Sequence, residues 1–322
     1  MKKILFTGDT LSEDRRQDFA KEGFEFVPER IDLNEDELMS IIKEYDGYIL
    51  GGEEIATKKV IENAKKLKVI TFFGTGYEKY IDLAAAKESG IVVTNTPNVN
   101  SRSVAEFTIA LIMSSVKKIV SMNNATKTGM WNKARTWDLQ EKTVGIIGMG
   151  NIGSIVAKIL HDGFGMNVVY YSKSRKPDIE KRLDAEYIEL DELFSKSDVI
   201  SVHLSYNKET IGLVGSEHFK QMKNGAILVN TARAEIIDPI ALKQALNDAK
   251  INVAVDCYYK EPVPTNEGED EWKLMSFNDD CFIMTPHAAY NTTDALRRME
   301  DLAIENTIKV LKNEICENTV PR

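Results

Sequence analysis

Thr143–Gly153 reads TVGIIGMGNIG. An apolar β-branched run leads into Gly148-Met149-Gly150-Asn151-Ile152-Gly153, and an amphipathic helical stretch starts at once. The residue types have separate jobs. Gly148 permits a tight turn, Gly150 lets backbone come close to a pyrophosphate, and Gly153 allows a helix to pack on its strand. Asn151 and Ile152 then open the helix, where free N–H groups and the helix dipole favour an anion. A purely structural glycine turn shares this spelling; the strand–turn–helix context favours a dinucleotide site.

Outward from this motif the same grammar repeats. Apolar runs that predict strands are Lys3–Thr7, Gly47–Gly51, Val69–Phe73 and Ile91–Thr94, then Thr143–Gly148, Val168–Ser172, Val199–His203, Ala226–Asn230 and Val253–Cys257. Amphipathic segments lie between them, among them Glu35–Tyr45, Thr57–Leu67, Ile152–His161 and Pro239–Ala249. Strands apolar on both faces and separated by helices indicate parallel βαβ units. Four strands before residue 100 and at least five after it suggest two domains. The loop Asn98–Ser103 (NVNSRS) precedes one long helix predicted from Val104 to Ala125. A second junction is expected near Ala288–Asn291, and the last helix, Thr292 to Asn313, is expected to return to the first domain.

Composition narrows the function classes. Of 322 residues, 41 are Lys or Arg and 50 are Asp or Glu, a formal charge of −9. That balance argues against a nucleic-acid binder, which shows a basic face. Cys257, Cys281 and Cys316 are odd in number and lack CxxC spacing, so neither a disulfide framework nor a zinc site is expected, and a reducing, cytoplasmic location fits. The opening MKKILFTGD has too short an apolar run for a signal peptide. The apolar stretch from Val104 to Val120 carries Glu106 and Lys117-Lys118 and is too short to span a bilayer, so no membrane association is expected.

Two further constellations carry chemistry. Strand Val168–Ser172 runs into VVYYSKSRKP, ending at Pro177. An NAD site carries Asp or Glu at this point to bind the ribose 2′-hydroxyl. Here Ser172 stands there, followed by Lys173, Ser174, Arg175 and Lys176. A hydroxyl beside a guanidinium suits a 2′-phosphate, which a carboxylate would repel. NADP(H) is therefore expected in preference to NAD(H), the other reading being a solvated basic loop. The second constellation is scattered: Arg233 in NTARAEIID, Glu261 in DCYYKEP and His287 in TPHAAY. Each alone reads equally as a surface Arg, a solvated Glu or a capping His. Together they follow strands, and strand carboxyl ends line the ligand crevice of a doubly wound sheet.

The order GMGNIG, NTARAEIID, VAVDCYYKEP and TPH resembles the D-isomer-specific 2-hydroxyacid dehydrogenases. The likeness extends upstream through FGTGYEKYID and GIVVTNTPNVNSRSVAEFTIA and covers nearly the whole chain. It implies two Rossmann-like, doubly wound parallel-sheet α/β domains with the active site in the cleft between them. Residues 1–100 plus 291–322 would form the substrate domain, and 101–290 the dinucleotide domain. A homodimer joined through the cofactor domains is implied as well.

Residue by residue, the resemblance makes Arg233 the group that grips the substrate carboxylate and polarises the keto oxygen. His287 becomes the general acid in reduction, with Glu261 orienting it and favouring the imidazolium. The amides of Thr75 and Gly76 complete the carboxylate cradle. Asn151 and Ile152 meet the pyrophosphate, Thr231 and Ala232 flank the nicotinamide ribose, and Asp256 holds the carboxamide, with Ala289 nearby. The substrate is a small 2-keto or 2-hydroxy acid, and the basic run from Ser172 resembles NADPH-using glyoxylate and hydroxypyruvate reductases.

The chain also departs from the family pattern. Ser205 stands where Pro is usual, Ala234 replaces a Gly after Arg233, and Asn98 replaces a common Gly after Pro97. Phe73–Asp82 has one extra residue, and Ala288-Ala289-Tyr290 replaces an apolar–Gly–small run. Two other readings stay open: a D-3-phosphoglycerate dehydrogenase-like enzyme, with Arg102 and Arg135 over a substrate phosphate, and a dinucleotide-sensing corepressor or scaffold. No GxSxG or Cys–His arrangement supports nucleophilic hydrolysis.

Overall fold

The computed structural model describes residues 1–8 and 11–320. In chain order, β1 (Lys2–Thr7), α1 (Glu13–Lys21), β2 (Phe24–Glu29), α2 (Glu35–Ile42), β3 (Gly47–Leu50), α3 (Lys58–Asn63), β4 (Val69–Phe72), α4 (Leu83–Glu88) and β5 (Val92–Asn95) form a first α/β run. Two helices follow, α5 (Ser101–Val116) and α6 (Ile119–Lys127). A second run comprises β6 (Thr143–Ile147), α7 (Asn151–Phe164), β7 (Asn167–Tyr171), α8 (Pro177–Leu183), β8 (Glu186–Tyr187), α9 (Leu190–Lys196), β9 (Val199–Val202), α10 (Ser216–Gln221), β10 (Ile227–Asn230), α11 (Pro239–Asn247), β11 (Asn252–Val255) and β12 (Phe282–Met284). The chain closes with α12 (Thr293–Leu311).

Two compact units result: Met1–Asn100 with Thr293–Arg322, and Ser101–Thr292. The first holds a five-stranded sheet in the order β2-β1-β3-β4-β5, the second a seven-stranded sheet in the order β12-β11-β10-β9-β6-β7-β8. Every pairing within both sheets is parallel.

The strands are buried on both faces, and alternation sends neighbours to opposite cores. In the first unit Leu5, Tyr48 and Ile70 join one cluster while Ile4, Ile49 and Val69 join another. In the second, Ile147 and Val169 face one core, and Ile146, Val168 and Tyr170 the other. Helix α12 belongs to the first unit because Ala303 and Ile304 enter its core. There Thr307 and Thr71 share a buried hydroxyl–hydroxyl bond of 2.7 Å. Among the described residues no helix is long and apolar enough to cross a membrane.

The sequence reading meets the structure with local differences. The long helix expected from Val104 to Ala125 is two helices, broken where Lys118 takes φ +51°. The break is held by Lys118 Nζ, which donates to the carbonyl of Asp280 and to Asn252 Oδ1. Three strands escape the pattern. β2 is the outermost strand of its sheet and contains Pro28, while β8 and β12 have only two and three residues. Asn98, which stands for a usual Gly, sits at φ +68°. Asparagine is among the few side-chain-bearing residues that adopt this left-handed region readily.

Candidate functional site

Each sheet has a switch point, where chain order reverses and the strand ends open a crevice. In the second unit it lies between β6 and β9, and Gly148 follows β6 directly. Gly148 has φ +100°, and its N–H donates to Tyr171 O at 2.8 Å. A Cβ at Gly153 would stand 2.2 Å from Gly148 O, so helix and turn are in backbone contact there. A Cβ at Gly150 would meet nothing within 4 Å, which leaves open space beside the backbone. Gly150 N-caps α7 with no side-chain cap bond. A 14-residue helix whose start is uncapped and whose approach is glycine-lined fits a dinucleotide pyrophosphate. Asn151 and Ile152 form its first turn.

Ser172 follows the last residue of β7, and Lys173, Ser174 and Arg175 are exposed after it. None of these positions carries a carboxylate. Arg175 is not an unattached cation: its Nε and Nη2 donate to Glu180 Oε1 and Oε2 at 3.1 and 2.6 Å. These hydrogen bonds, followed by that from the Tyr170 hydroxyl, hold the Glu180 carboxyl at about 2. Lys173 stands 3.6 Å from Glu209.

The proposed chemical groups lie across three adjacent strand ends. In register, Asn230 of β10 faces Val255 of β11, and Val255 faces Met284 of β12. Arg233, Asp256 with Glu261, and His287 therefore leave the same edge of one sheet. His287 Nδ1 and Glu261 Oε2 are 2.8 Å apart, and Glu261 Oε1 accepts the Tyr258 N–H at 2.7 Å. Burial works against ionisation of Glu261. The hydrogen bond and charge of His287, the Tyr258 N–H and the positive Arg233 outweigh it, and the carboxyl lies below its ordinary value. With Nδ1 engaged, Nε2 is the ring atom left to exchange a proton with a ligand.

Asp256 is 1% exposed and holds a turn. Its Oδ1 accepts from the Thr285 hydroxyl at 2.6 Å and the Ala288 N–H at 2.9 Å, and its Oδ2 from the Ala289 N–H at 2.7 Å. These bonds bracket His287, which takes φ +53°. Asn230 was not singled out by the sequence. It is fully buried; its Oδ1 accepts the Ala232 N–H at 3.0 Å, and its Nδ2 donates to Arg233 O at 2.8 Å. It thus fixes the turn carrying Arg233, and a strand-ending Asn just before that turn was the available signal. Thr231 shares a hydroxyl bond of 2.8 Å with Thr108 of α5.

In the first unit Thr75 is exposed and Gly76 half-buried, just after β4. Their loop is pinned at Ala56, whose N–H donates to Tyr80 O at 2.8 Å, and by Asn95 Nδ2 to Thr75 O at 2.9 Å. Of the four histidines, His203 is half-buried, its Nε2 2.7 Å from Ser201 Oγ. It packs under the glycine turn, with its carbonyl 2.6 Å from where a Gly148 Cβ would be.

Residues 109–289 match the model of the D-isomer specific 2-hydroxyacid dehydrogenase NAD-binding domain. The chain is 34% identical over 293 residues to a glyoxylate reductase from Thermococcus litoralis, covering 88% of this chain and 86% of that one. It is 35% identical over 324 residues to a D-3-phosphoglycerate dehydrogenase from Methanocaldococcus jannaschii, covering 99% of this chain and 59% of the relative. The D-lactate dehydrogenase from Aquifex aeolicus, solved with NAD and lactic acid, superposes with a TM-score of 0.84 at 28% identity, covering 99% of this chain and all of that one. The chain thus belongs to the D-isomer specific 2-hydroxyacid dehydrogenases, oxidoreductases that use a nicotinamide dinucleotide.

Proposed function

We propose that the enzyme reduces glyoxylate or a similarly small 2-keto acid to the D-2-hydroxy acid, with NADP(H) preferred and NAD(H) accepted. The observation that carries this reading is the His287–Glu261 pair beside Arg233 at three adjoining strand ends. Arg233 grips the substrate carboxylate with its planar fork and polarises the keto oxygen. A reduced nicotinamide, when bound, supplies the hydride. His287 delivers a proton from Nε2 to the developing alkoxide, and Glu261 holds the ring through Nδ1. The amides of Thr75 and Gly76 receive the substrate carboxylate. Gly148, Gly150, Asn151, Ile152 and Gly153 receive the pyrophosphate; Thr231, Ala232 and Ala289 flank the nicotinamide end. Asp256 holds the carboxamide and also steadies the turn that carries His287.

Ser172, Lys173, Ser174 and Arg175 receive the 2′-phosphate, a reading supported by hydroxyl and cationic groups where NAD sites carry a carboxylate. Residues 1–100 with the terminal helix serve the substrate, and 101–290 the cofactor. A homodimer through the cofactor unit is supported by Ile119, Met130 and Trp131, which are 50%, 52% and 81% exposed. The three cysteines are free, in keeping with a cytoplasmic setting. Arg102, a cation that a phosphorylated substrate would need, is paired with Glu106, which favours the smaller acid.

The test is oxidation of NADPH and NADH with glyoxylate, hydroxypyruvate, pyruvate and 2-ketogluconate, for the wild type and His287→Ala. Glyoxylate with NADPH is expected to give the highest kcat/KM. His287→Ala should lose at least a hundredfold in kcat while still binding cofactor. Undiminished turnover in that variant would sink the proton-transfer role.

A further inference from the structure

The end of β7 carries a network of which the reading above uses only Arg175. The Tyr170 ring is buried, and its hydroxyl donates to Glu180 Oε1 at 2.5 Å while accepting the Lys176 N–H at 2.7 Å. Glu180 in turn receives the Nε and Nη2 donors of Arg175. The guanidinium lies over the Tyr187 ring, 5.8 Å from its centroid. Arg175 is 65% exposed and Glu180 only 16%. A guanidinium has five N–H donors, and the two taken by Glu180 leave three for a ligand.

We propose that Glu180 is a specificity-determining residue: by offsetting the charge of Arg175 it limits the preference for a cofactor bearing a 2′-phosphate and keeps the site open to one that lacks it. The proposal rests on the reading that Arg175 meets the 2′-phosphate. Glu180 has two opposed effects on such a ligand. It orients the guanidinium, which favours binding, and it adds a negative charge near a dianion, which disfavours it. Orientation has a second support, since the Tyr187 ring lies beneath the guanidinium and the Tyr170–Lys176 bond fixes the backbone next to it. The charge has no such substitute. Glu180 stays ionised throughout the working range, because Arg175 and Tyr170 both stabilise its carboxylate. Carboxylate repulsion therefore outweighs lost orientation. For a largely exposed dianion next to one carboxylate the effect on affinity is about threefold to tenfold.

The experiment compares kcat/KM for NADPH and for NADH in the wild type, Glu180→Gln and Arg175→Gln, each at low and high salt. Glutamine keeps the size and an accepting oxygen but not the charge. Glu180→Gln is expected to raise the NADPH-to-NADH ratio about threefold to tenfold, with the gain shrinking as salt rises. Glu180→Ser should move the ratio the same way, so a folding defect in one replacement does not decide the outcome. A ratio unchanged or lowered in both Glu180 variants overturns the proposal. Arg175→Gln separates the two levels. If it lowers the ratio while the Glu180 variants do not raise it, the phosphate reading stands and the role of Glu180 falls. If Arg175→Gln leaves the ratio untouched, Arg175 does not meet the phosphate and both fall.

Discussion

Gly150 and Gly153 stand three residues apart in one motif, yet a methyl group at each should fail in opposite ways. At Gly153 the added Cβ would lie 2.2 Å from Gly148 O and 3.0 Å from Ile146 Cγ2. Real Cβ contacts stay above 3.0 Å, so the turn must yield by 0.8 Å against backbone, which has no rotamer to escape into. Overpacking of this kind costs about 1–3 kcal/mol. For a unit of this size that lowers Tm by roughly 2–12 °C. At Gly150 the Cβ meets nothing within 4 Å, and φ −86° with ψ −157° suits alanine. Gly150→Ala should leave the free protein as stable as before, or about 0.5 kcal/mol more so, through a less flexible unfolded chain. Its damage should appear only with ligand, because the methyl enters the space given to the pyrophosphate, and a tenfold to hundredfold rise in cofactor Kd is expected, about 1.4–2.8 kcal/mol. Thermal unfolding without ligand and a cofactor-fluorescence titration read the two effects separately. A Gly150→Ala protein that binds NADPH as tightly as wild type would refute the placing of the pyrophosphate. An unshifted Tm for Gly153→Ala would refute the contact argument.

Two further outcomes follow from buried polar groups. Burial lowers the His203 value to about 3, so between that value and its ordinary 6.5 the unfolded chain binds the extra proton and the native state does not. Stability should therefore fall as pH drops below about 6.5, by roughly 3 kcal/mol at pH 4.5 from this residue. In His203→Asn the urea-unfolding free energy should lose that part of its pH slope, and an unaltered slope would disprove the assignment. Asp256→Asn sets an N–H2 where three donors now meet a carboxylate. It should cost about 2–4 kcal/mol of stability and lower kcat at least tenfold by loosening the turn under His287. Near-wild-type kcat would show that the turn holds without it.

Much of this was readable along the chain. Thr143–Gly153 names its own local structure, since the positive φ of Gly148 and the contact of Gly153 with Gly148 O are demands made within the motif. The nine strands predicted from apolar runs match observed strands within a residue or two at each end, because strands buried on both faces have near-continuous apolar sequence. β2, β8 and β12 were not legible: edge position, proline or extreme brevity removes that pattern. The break at Lys118 was hidden too. Its left-handed backbone is secured by Asn252 and Asp280, more than a hundred residues away.

The site divides along the same line. Sequence alone determined the family and the parallel α/β class and singled out Arg233, Glu261 and His287 as candidates, because motif order is a property of the linear chain. Only the tertiary structure decided that Nδ1 of His287 meets Glu261, that Asp256 spends its oxygens on the turn around His287, that Asn230 ties down Arg233 and that Arg175 is already paired with Glu180. The physical reason is that a hydrogen bond is satisfied by whichever group the fold delivers within about 3 Å. A sequence states which donors and acceptors exist; packing of strands distant along the chain determines which of them meet.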